Sequence, residues 1–543
     1  MFNPAWNTAE RALASQRIQL AVFTALLVSF TLVRWRERLE PWNSDDLDLF
    51  RVSVDAASGE HWLFGAGPTG TVSHQALRIG LFPVSLPAIL AFGGSATAFY
   101  LVPLAFALLG FGVIYWLLLR SFGPFVALGM AVVHIVWPFE LQHASVFLTD
   151  LPSAASALLA LYCLDLAAAR APPSRVAYAL LAGLAALESQ LLRNNALVLM
   201  APALLIMLAS RASRLPTLWA CAVVLVGVLV FEALLSYRGL GWGYDWQRVR
   251  AALDEYSPFL PVYSWREFLT RQFDYQLHTF GDGQLGTLAV ALIILSLVGH
   301  TLLFGFERRP LLLAVAAFGA FSWLVFSFSI YERVPGGVRA LAPPNYRYLQ
   351  AFAYSSLLVY AWLWDALRER ARRTVTLRWT WAIVGAGGLL LLLGFSALAL
   401  RYLPPTYTGS RTEGLVRALQ QHADAAAPLR IEGTSYSLSV PRLFCCPSPA
   451  RVEWIELSPT ELADDVERGR AALVLRAVRR ELSLARYYPA QERSHYLHEL
   501  SRLERQLRKN AQLEYVDTKY SLFALPRSAA ATPLAPSAAP ISQ

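Results

Sequence analysis

Long apolar runs closed by Arg, Gly or Pro follow one another through the chain as far as Leu403. A helix needs about 20 mainly apolar residues to cross the hydrocarbon core of a bilayer, and roughly 17 is the lower limit. The pattern therefore predicts a polytopic α-helical membrane protein with about 11 transmembrane helices in residues 1–403. The predicted spans are Ile18–Val33, Thr97–Leu119, Pro124–Pro138, Leu151–Ala169, Val176–Leu192, Ala196–Ala209, Pro216–Ser236, Leu285–Phe304, Leu311–Ile330, Tyr348–Trp364 and Trp379–Leu403.

One more apolar run, Ile79–Gly94, is interrupted by Pro83, Pro87 and a Gly-Gly pair. Irregular backbone at membrane depth must be buried in protein or face water. We therefore interpret this run as an interfacial or re-entrant helix.

After Leu403 the apolar runs end and the pattern changes to that of a soluble domain. Residues 404–527 predict a small α/β domain outside the cytoplasm, and the tail 528–543, rich in Ala, Pro and Ser, predicts disorder. The predicted helices are Arg411–His422 and Glu492–Asn510, and the predicted strands are Ala472–Arg476 and Tyr520–Leu525.

Composition supports the membrane class. Of the 543 residues, 56% are hydrophobic and 16% are charged, whereas a soluble domain has roughly 45–50% apolar and about 25% charged residues. These values exclude a disordered chain, and four Cys in a chain of this length exclude a disulfide-built domain. The net charge of +9 comes mainly from Arg in short segments between apolar runs. This distribution is typical of loops beside a membrane and argues against a nucleic-acid partner.

The basic loops predict the orientation of the chain. Short cytoplasmic loops carry an excess of Lys and Arg, and with a cytoplasmic N-terminus every short loop on the cytoplasmic side is basic. These loops hold Arg120, Arg170 with Arg175, Arg211 with Arg214, Arg308 with Arg309, and the arginines of residues 368–378. Arg34, Arg36 and Arg38 do not follow this rule, because the same orientation places them outside the cytoplasm. With an odd number of spans, loops 34–78, 237–284 and 331–347 and the C-terminal domain are extracytoplasmic.

Carboxylates cluster just after the first predicted span, at Asp45, Asp46 and Asp48. Clustered carboxylates beside a low-dielectric boundary need a cation, a hydrogen-bond network or a raised pKa. They are candidates for a general base or a divalent-cation site. A solvated N-terminal cluster capping a helix over Phe50–Ala57 explains them equally well.

A second acidic position, Asp150, begins a predicted span after a turn that contains His143. Asp150 could cap that helix, with Pro152 suited to its first turn. The predicted topology also places both residues at the same membrane face as the first acidic cluster. A shared site is the alternative, and Asp46, His143 and Asp150 are its candidate cation ligands.

Basic residues mark three other points where the chain enters the membrane from outside. Tyr346 and Arg347 precede one span, and Arg78 and Arg193 lie at the outer ends of others. An arginine there can bind an anionic lipid head group or phosphate in a bidentate manner, or it can serve as an interfacial anchor. We expect Glu188 to pair with Arg193.

Neither the cysteines nor a nucleotide-binding motif identifies a further function. Cys445 and Cys446 are adjacent and could form a vicinal disulfide or remain two free thiols. No Walker-type phosphate loop occurs, which argues against an ATP-driven pump. A transporter or lipid flippase remains the alternative to an enzyme, although we find no repeated halves of the transporter kind.

The order of these features resembles the GT-C class of polytopic glycosyltransferases, in particular the bacterial family that includes the lipid A aminoarabinose transferase and is related to protein O-mannosyltransferases. The similarity covers about the first 400 residues. Its landmarks are Asp45-Asp46, Ala56-Ala57-Ser58-Gly59, Phe92-Gly93, Arg120, the run Leu148-Thr149-Asp150-Leu151-Pro152-Ser153-Ala154-Ala155, Leu192–Leu199 and Asn345–Leu349.

The resemblance implies an enzyme that moves a sugar from a polyprenyl-phosphate donor to a lipid, glycan or protein acceptor at the outer face of the bacterial inner membrane. Asp45 matches the acid of the first external loop, which activates or holds the acceptor, and Asp46 and Asp150 match two further acidic positions. Arg78 lies near the position at which the family has a Lys or Arg that contacts the lipid phosphate. The chemistry fits these residue types without the family, because a phosphate leaving group needs cations and the acceptor needs a carboxylate to take its proton.

Overall fold

The computed structural model describes most of the apolar part of the chain and parts of the remainder. The described ranges are 16–36, 44–59, 77–141, 143–244, 261–278, 310–328, 331–340, 349–373, 429–434, 452–471, 473–477, 490–516 and 521–525, with residues 38, 246, 247, 250, 251, 298, 415, 418, 419 and 481. The chain forms two compact units, Met1–Thr408 and Gly409–Gln543.

The first unit is helical. Its described helices are α1 (Gln16–Arg36), α2 (Ser44–Ser58), α3 (Leu81–Phe92), α4 (Ala96–Phe122), α5 (Pro124–Ile135), α6 (Pro138–Leu141), α7 (Asp150–Ala168), α8 (Ser174–Leu192), α9 (Ala196–Ala209), α10 (Arg214–Tyr237), α11 (Trp265–His278), α12 (Pro310–Phe328) and α13 (Gln350–Arg373). Within the described residues, α1, α4, α7, α8, α10 and α12 are long and apolar enough to cross a membrane. The prediction of a polytopic helical membrane protein is confirmed.

Nine of the predicted spans coincide with described helices. Leu285–Phe304, apart from residue 298, and Trp379–Leu403 lie outside the described residues. The helix in the span predicted over Pro124–Pro138 is shorter than expected. This helix, α5, ends at Ile135. With 12 residues it extends only about 18 Å. The run at Ile79–Gly94 forms α3, which also has 12 residues and is too short to cross a bilayer.

The chain between α5 and α7 is irregular but packed inside the protein. Trp137, Leu141 and every described residue from His143 to Leu148 are buried. Buried surroundings are what irregular backbone at membrane depth requires. This segment carries the chain to Asp150, the first residue of α7.

A buried polar network joins α1, α5, α6 and α13. The Arg34 side chain is 1% exposed, donates to the His134 carbonyl at 3.0 Å and pairs with the Glu140 carboxylate at 3.4 Å. Glu140 also contacts the His134 ring and accepts a 3.1 Å hydrogen bond from the Tyr354 hydroxyl. Arg34, predicted to begin the loop 34–78, is instead part of α1, which continues past it, and a carboxylate compensates its charge inside the bundle.

Two of the predicted external loops meet in a small sheet. Strands β1 (Tyr331–Val334) and β2 (Gly337–Ala340) form a hairpin, and Tyr263 bonds to both the N–H and the carbonyl of Val338 at 2.8 Å. The turn between the strands contains Gly336 with φ of +89°, a conformation that favours glycine.

The second unit contains a mixed sheet of β3 (Leu429–Gly433), β4 (Val452–Glu456), β5 (Leu473–Arg476), β6 (Gln512–Val516) and β7 (Ser521–Ala524), in the order β4-β3-β5-β7-β6. Strand β3 is parallel to β4 and β5, and β7 is antiparallel to β5 and β6. Helices α14 (Pro459–Glu467) and α15 (Ala490–Asn510) share a core with this sheet through Leu462, Val466, Leu503, Leu507 and Phe523. The unit is an α/β domain, as predicted.

Charged side chains are buried where β3 and β5 end. Arg476 pairs with Glu481 at 2.7 Å, and the Thr434 hydroxyl donates to the same carboxylate at 3.0 Å. In β3, burial raises the pKa of Glu432, and Arg430, 2.8 Å away, opposes that shift. These groups compensate each other within the domain.

Candidate functional site

An ion pair links the start of α7 to the end of α8. The Asp150 carboxylate lies 2.5 Å from the Arg193 guanidinium, and the two side chains are 3% and 11% exposed. Asp150 is the first residue of α7, where the partial positive charge of the helix terminus also favours a carboxylate. The preceding Thr149 makes no capping hydrogen bond. Asp150 therefore pairs with a positive residue in the turn that directly follows another helix.

The turn after α8 fixes the position of Arg193. Arg193 is extended and donates its N–H to the Ser189 carbonyl at 3.0 Å. The Gln190 side chain bridges the turn, donating to the Asn194 carbonyl at 2.7 Å and accepting from the Leu197 N–H at 3.0 Å. The guanidinium carbon of Arg193 lies 4.6 Å from the ring centre of Phe326, near the end of α12.

A pair of buried serines holds the two helices together below the ion pair. The Ser189 hydroxyl donates to the Ser153 carbonyl at 2.9 Å, and the Ser153 hydroxyl donates to the Ser189 carbonyl at 3.1 Å. Small residues of this kind allow membrane helices to approach closely. Because the bonds join the start of α7 to the end of α8, the helices are antiparallel.

The segment that carries Arg78 contacts the end of α8. The Gly80 N–H donates to the Leu191 carbonyl at 3.3 Å. A side chain at Gly80 would come within 2.9 Å of the Leu192 nitrogen, so a glycine allows this approach. Arg78, which is half-buried, and Arg193 therefore belong to segments that meet.

The acidic cluster lies at the beginning of α2. Asp46 is completely buried, and Asp45 occupies the second position of the helix, although its side chain is not described. The Phe50 ring packs against Phe147, with ring centres 5.1 Å apart. Since Phe147 closely precedes Asp150 in the chain, this contact docks α2 on the segment that leads to the ion pair.

The expected cation ligands do not form a group. His143 is buried in a single 3₁₀ turn, and Asp150 is held by Arg193. Within the described ranges, no three His, Cys, Asp or Glu side chains converge as a metal site would require, so Asp46, His143 and Asp150 are not assembled as one ligand set.

Two further predictions have different outcomes. The expected pairing of Glu188 with Arg193 is wrong, because Arg193 reaches across to Asp150. Tyr346 and Arg347 lie outside the described residues, as do Cys445 and Cys446.

Sequence reasoning missed Glu140 and His134 as members of a buried network. The available signal was Arg34, an arginine directly at the end of an apolar run, because a charge at membrane depth needs a partner.

No family model and no curated protein matches the sequence. Among solved structures, ArnT from Cupriavidus metallidurans bound to undecaprenyl phosphate matches with a TM-score of 0.56 and 14% identity over 95% of this chain and 99% of that protein. The same enzyme in the apo state gives a TM-score of 0.54 and 14% identity over 93% of this chain and 97% of its own. The chain has a GT-C-like fold, as the resemblance implied.

Proposed function

We propose that the protein is an integral-membrane glycosyltransferase that moves a hexosyl or pentosyl group from a polyprenyl-phosphate donor to a lipid, glycan or protein acceptor. The observation that carries this proposal is the buried Asp150–Arg193 pair, beside the segment that contains Arg78, in a GT-C-like bundle. The ArnT structure that matches nearly the whole chain contains undecaprenyl phosphate, which supports a lipid phosphate as the donor carrier.

In the proposed reaction, an acceptor oxygen attacks the anomeric carbon of the sugar. The bond between that carbon and the phosphate oxygen breaks, its electron pair stays with the polyprenyl phosphate, and the acceptor proton passes to a carboxylate. Positively charged groups stabilise the departing phosphate. No nucleotide is needed, because the leaving group is already present in the donor.

The residues divide into two groups by charge. Asp45 is the proposed base, and Asp46 and Asp150 support it by orienting the acceptor and the basic groups. Arg78, Arg347 and the Tyr346 hydroxyl are the proposed phosphate contacts. Asp150 also fixes Arg193, which we add to the candidate residues because its ion pair is buried.

The same proposal places the protein in the bacterial inner membrane with a cytoplasmic N-terminus. The ends of α7 and α8 that carry Asp150 and Arg193 would then face outward, and the C-terminal unit would be extracytoplasmic. The basic loops at the opposite helix ends support this orientation.

The direct test is donor consumption by the purified full-length protein in detergent, with a panel of undecaprenyl-phosphate sugars and an extract containing acceptors. We expect one donor to be consumed with release of undecaprenyl phosphate. A parallel reaction with EDTA tests the candidate divalent cation. A transporter or flippase would leave every donor intact, and that result would contradict the proposal.

A further inference from the structure

A cavity lined by two arginines lies at the end of the helical bundle opposite Asp150. Arg120, near the end of α4, pairs with Asp165, near the end of α7, at 3.2 Å. With a rise of about 1.5 Å per residue, Asp165 lies roughly 22 Å along the α7 axis from Asp150. A cavity at this end of the bundle is therefore separate from the candidate transferase site.

The cavity has a volume of about 450 Å³, which lies in the range of small-molecule sites. Its lining combines apolar and aromatic walls with two guanidinium groups and includes Trp116, Leu119, Arg120, Tyr162, Leu166 and Arg170. We call it the Arg120–Arg170 pocket.

The aromatic wall of the pocket is held in place. The Trp116 ring lies 5.5 Å from the Phe23 ring of α1 and 5.6 Å from Tyr115, measured between ring centres. Trp116 is nevertheless 36% exposed. Trp and Tyr side chains are enriched at the boundary between hydrocarbon and head groups, which is where the ends of membrane-spanning helices lie.

The pocket carries a net positive charge. Asp165 compensates Arg120, whose side chain is still 39% exposed. Arg170 is exposed, and its guanidinium forms no hydrogen bond or ion pair within the part of the chain that the structure describes. The pocket thus has two guanidinium groups and one neighbouring carboxylate, so N–H donors remain available to bind an anion.

We infer that the Arg120–Arg170 pocket binds the phosphodiester head group of an anionic phospholipid. Guanidinium groups bind phosphate oxygens through charge-assisted hydrogen bonds. Basic pockets between membrane helices on the cytoplasmic side bind such head groups, and the orientation proposed above places this pocket on that side. The apolar wall formed by Leu119 and Leu166 offers a surface for the start of the acyl chains, which free phosphate cannot use.

The test is native mass spectrometry of the full-length protein in mild detergent, titrated with dioctanoyl phosphatidylglycerol, dioctanoyl phosphatidylcholine or inorganic phosphate. We expect wild type to bind the glycerol lipid at least about tenfold more tightly than the choline lipid, and Arg170→Gln to remove about that difference. Arg170→Lys should restore part of it, because it keeps the charge.

Arg211→Gln is the matched control, since Arg211 is an exposed arginine in the turn between α9 and α10, outside the pocket. It should leave both affinities unchanged. Equal binding of the two lipids, an unchanged affinity in Arg170→Gln, or an equal loss in Arg211→Gln would overturn the inference. Phosphate binding as tight as lipid binding would also overturn it, because the occupant would then be a free anion. None of these results depends on glycosyl transfer.

Discussion

Asp150, at the start of α7, pairs with Arg193, and the sequence around Asp150 does not predict this partner. The run Leu148–Ala155 marks Asp150 as an acid at a helix start, and the structure adds an ion pair to the end of the neighbouring helix. A pair this well buried is costly to break, since removal of one partner leaves an uncompensated charge.

We expect Asp150→Asn and Arg193→Gln each to lower the free energy of unfolding by about 3–5 kcal/mol. The double variant should recover much of that loss, because neither charge is then left alone. Donor turnover should stay low in all three variants. Thermal unfolding in detergent, measured beside turnover, separates the two effects, and a double variant with normal turnover would limit the pair to a structural role.

Arg347 is the residue proposed to contact the lipid phosphate where the chain re-enters the membrane. Arg347→Ala should raise the donor KM by roughly tenfold or more, because loss of a charge-assisted hydrogen bond costs about 1.5–3 kcal/mol. Thermal stability should change little. Arg238→Ala, an exposed arginine directly after α10, is the control. A donor KM equal to that of wild type would contradict the phosphate contact and favour the interfacial-anchor role of Arg347.

At the scale of elements, apolar periodicity located α7, α8, α9 and α10 within two residues at each end. It failed at α5, where the apolar run continues to Pro138 but the helix ends at Ile135. The buried network of Arg34 explains why the pattern was insufficient: Arg34 donates to the Ile135 carbonyl at 2.5 Å, at the end of that helix. Such a contact between distant parts of the chain leaves no local periodicity.

Glu140 is the central acceptor of that network. Glu140→Gln keeps a similar shape but leaves the Arg34 charge without its carboxylate, so the free energy of unfolding should fall by about 3–5 kcal/mol. Glu232→Gln is the matched control, since Glu232 accepts only a backbone hydrogen bond, from Gly243 at 2.8 Å, among its described contacts. Chemical denaturation of both variants measures the difference. An equal, small effect would mean that Arg34 does not depend on Glu140.

At the scale of the whole molecule, composition and the number of apolar runs were sufficient to predict a polytopic helical protein. The change of pattern after Leu403 was sufficient to predict an α/β domain. The order of short motifs was sufficient to predict the GT-C-like fold. The site was only partly accessible: Asp46, Asp150 and Arg78 were selected as single residues, but the pairing of Asp150 with Arg193 and the approach of Gly80 to α8 depend on how helices pack. Sequence spacing does not encode that packing.

The orientation of the whole chain is testable without an activity assay. A reporter that is active only outside the cytoplasm, fused after Leu403, should be active if the N-terminus is cytoplasmic and the number of spans is odd. The same reporter after Arg373, at the end of α13, should be silent. A silent reporter after Leu403 together with an active reporter after Arg373 would place the C-terminal unit in the cytoplasm, away from the proposed reaction.

The most direct test of glycosyl transfer is the rate of undecaprenyl phosphate release from the sugar donor by wild type and by Asp45→Asn. Asparagine and aspartate rank together as helix caps, so a capping role predicts nearly equal rates. Loss of a general base predicts a decrease on the order of 10²-fold or more at unchanged expression. We expect release by wild type and that decrease in the variant. Near-normal release by Asp45→Asn would contradict the assignment of the base, and no release by wild type with any donor would contradict the proposed function itself.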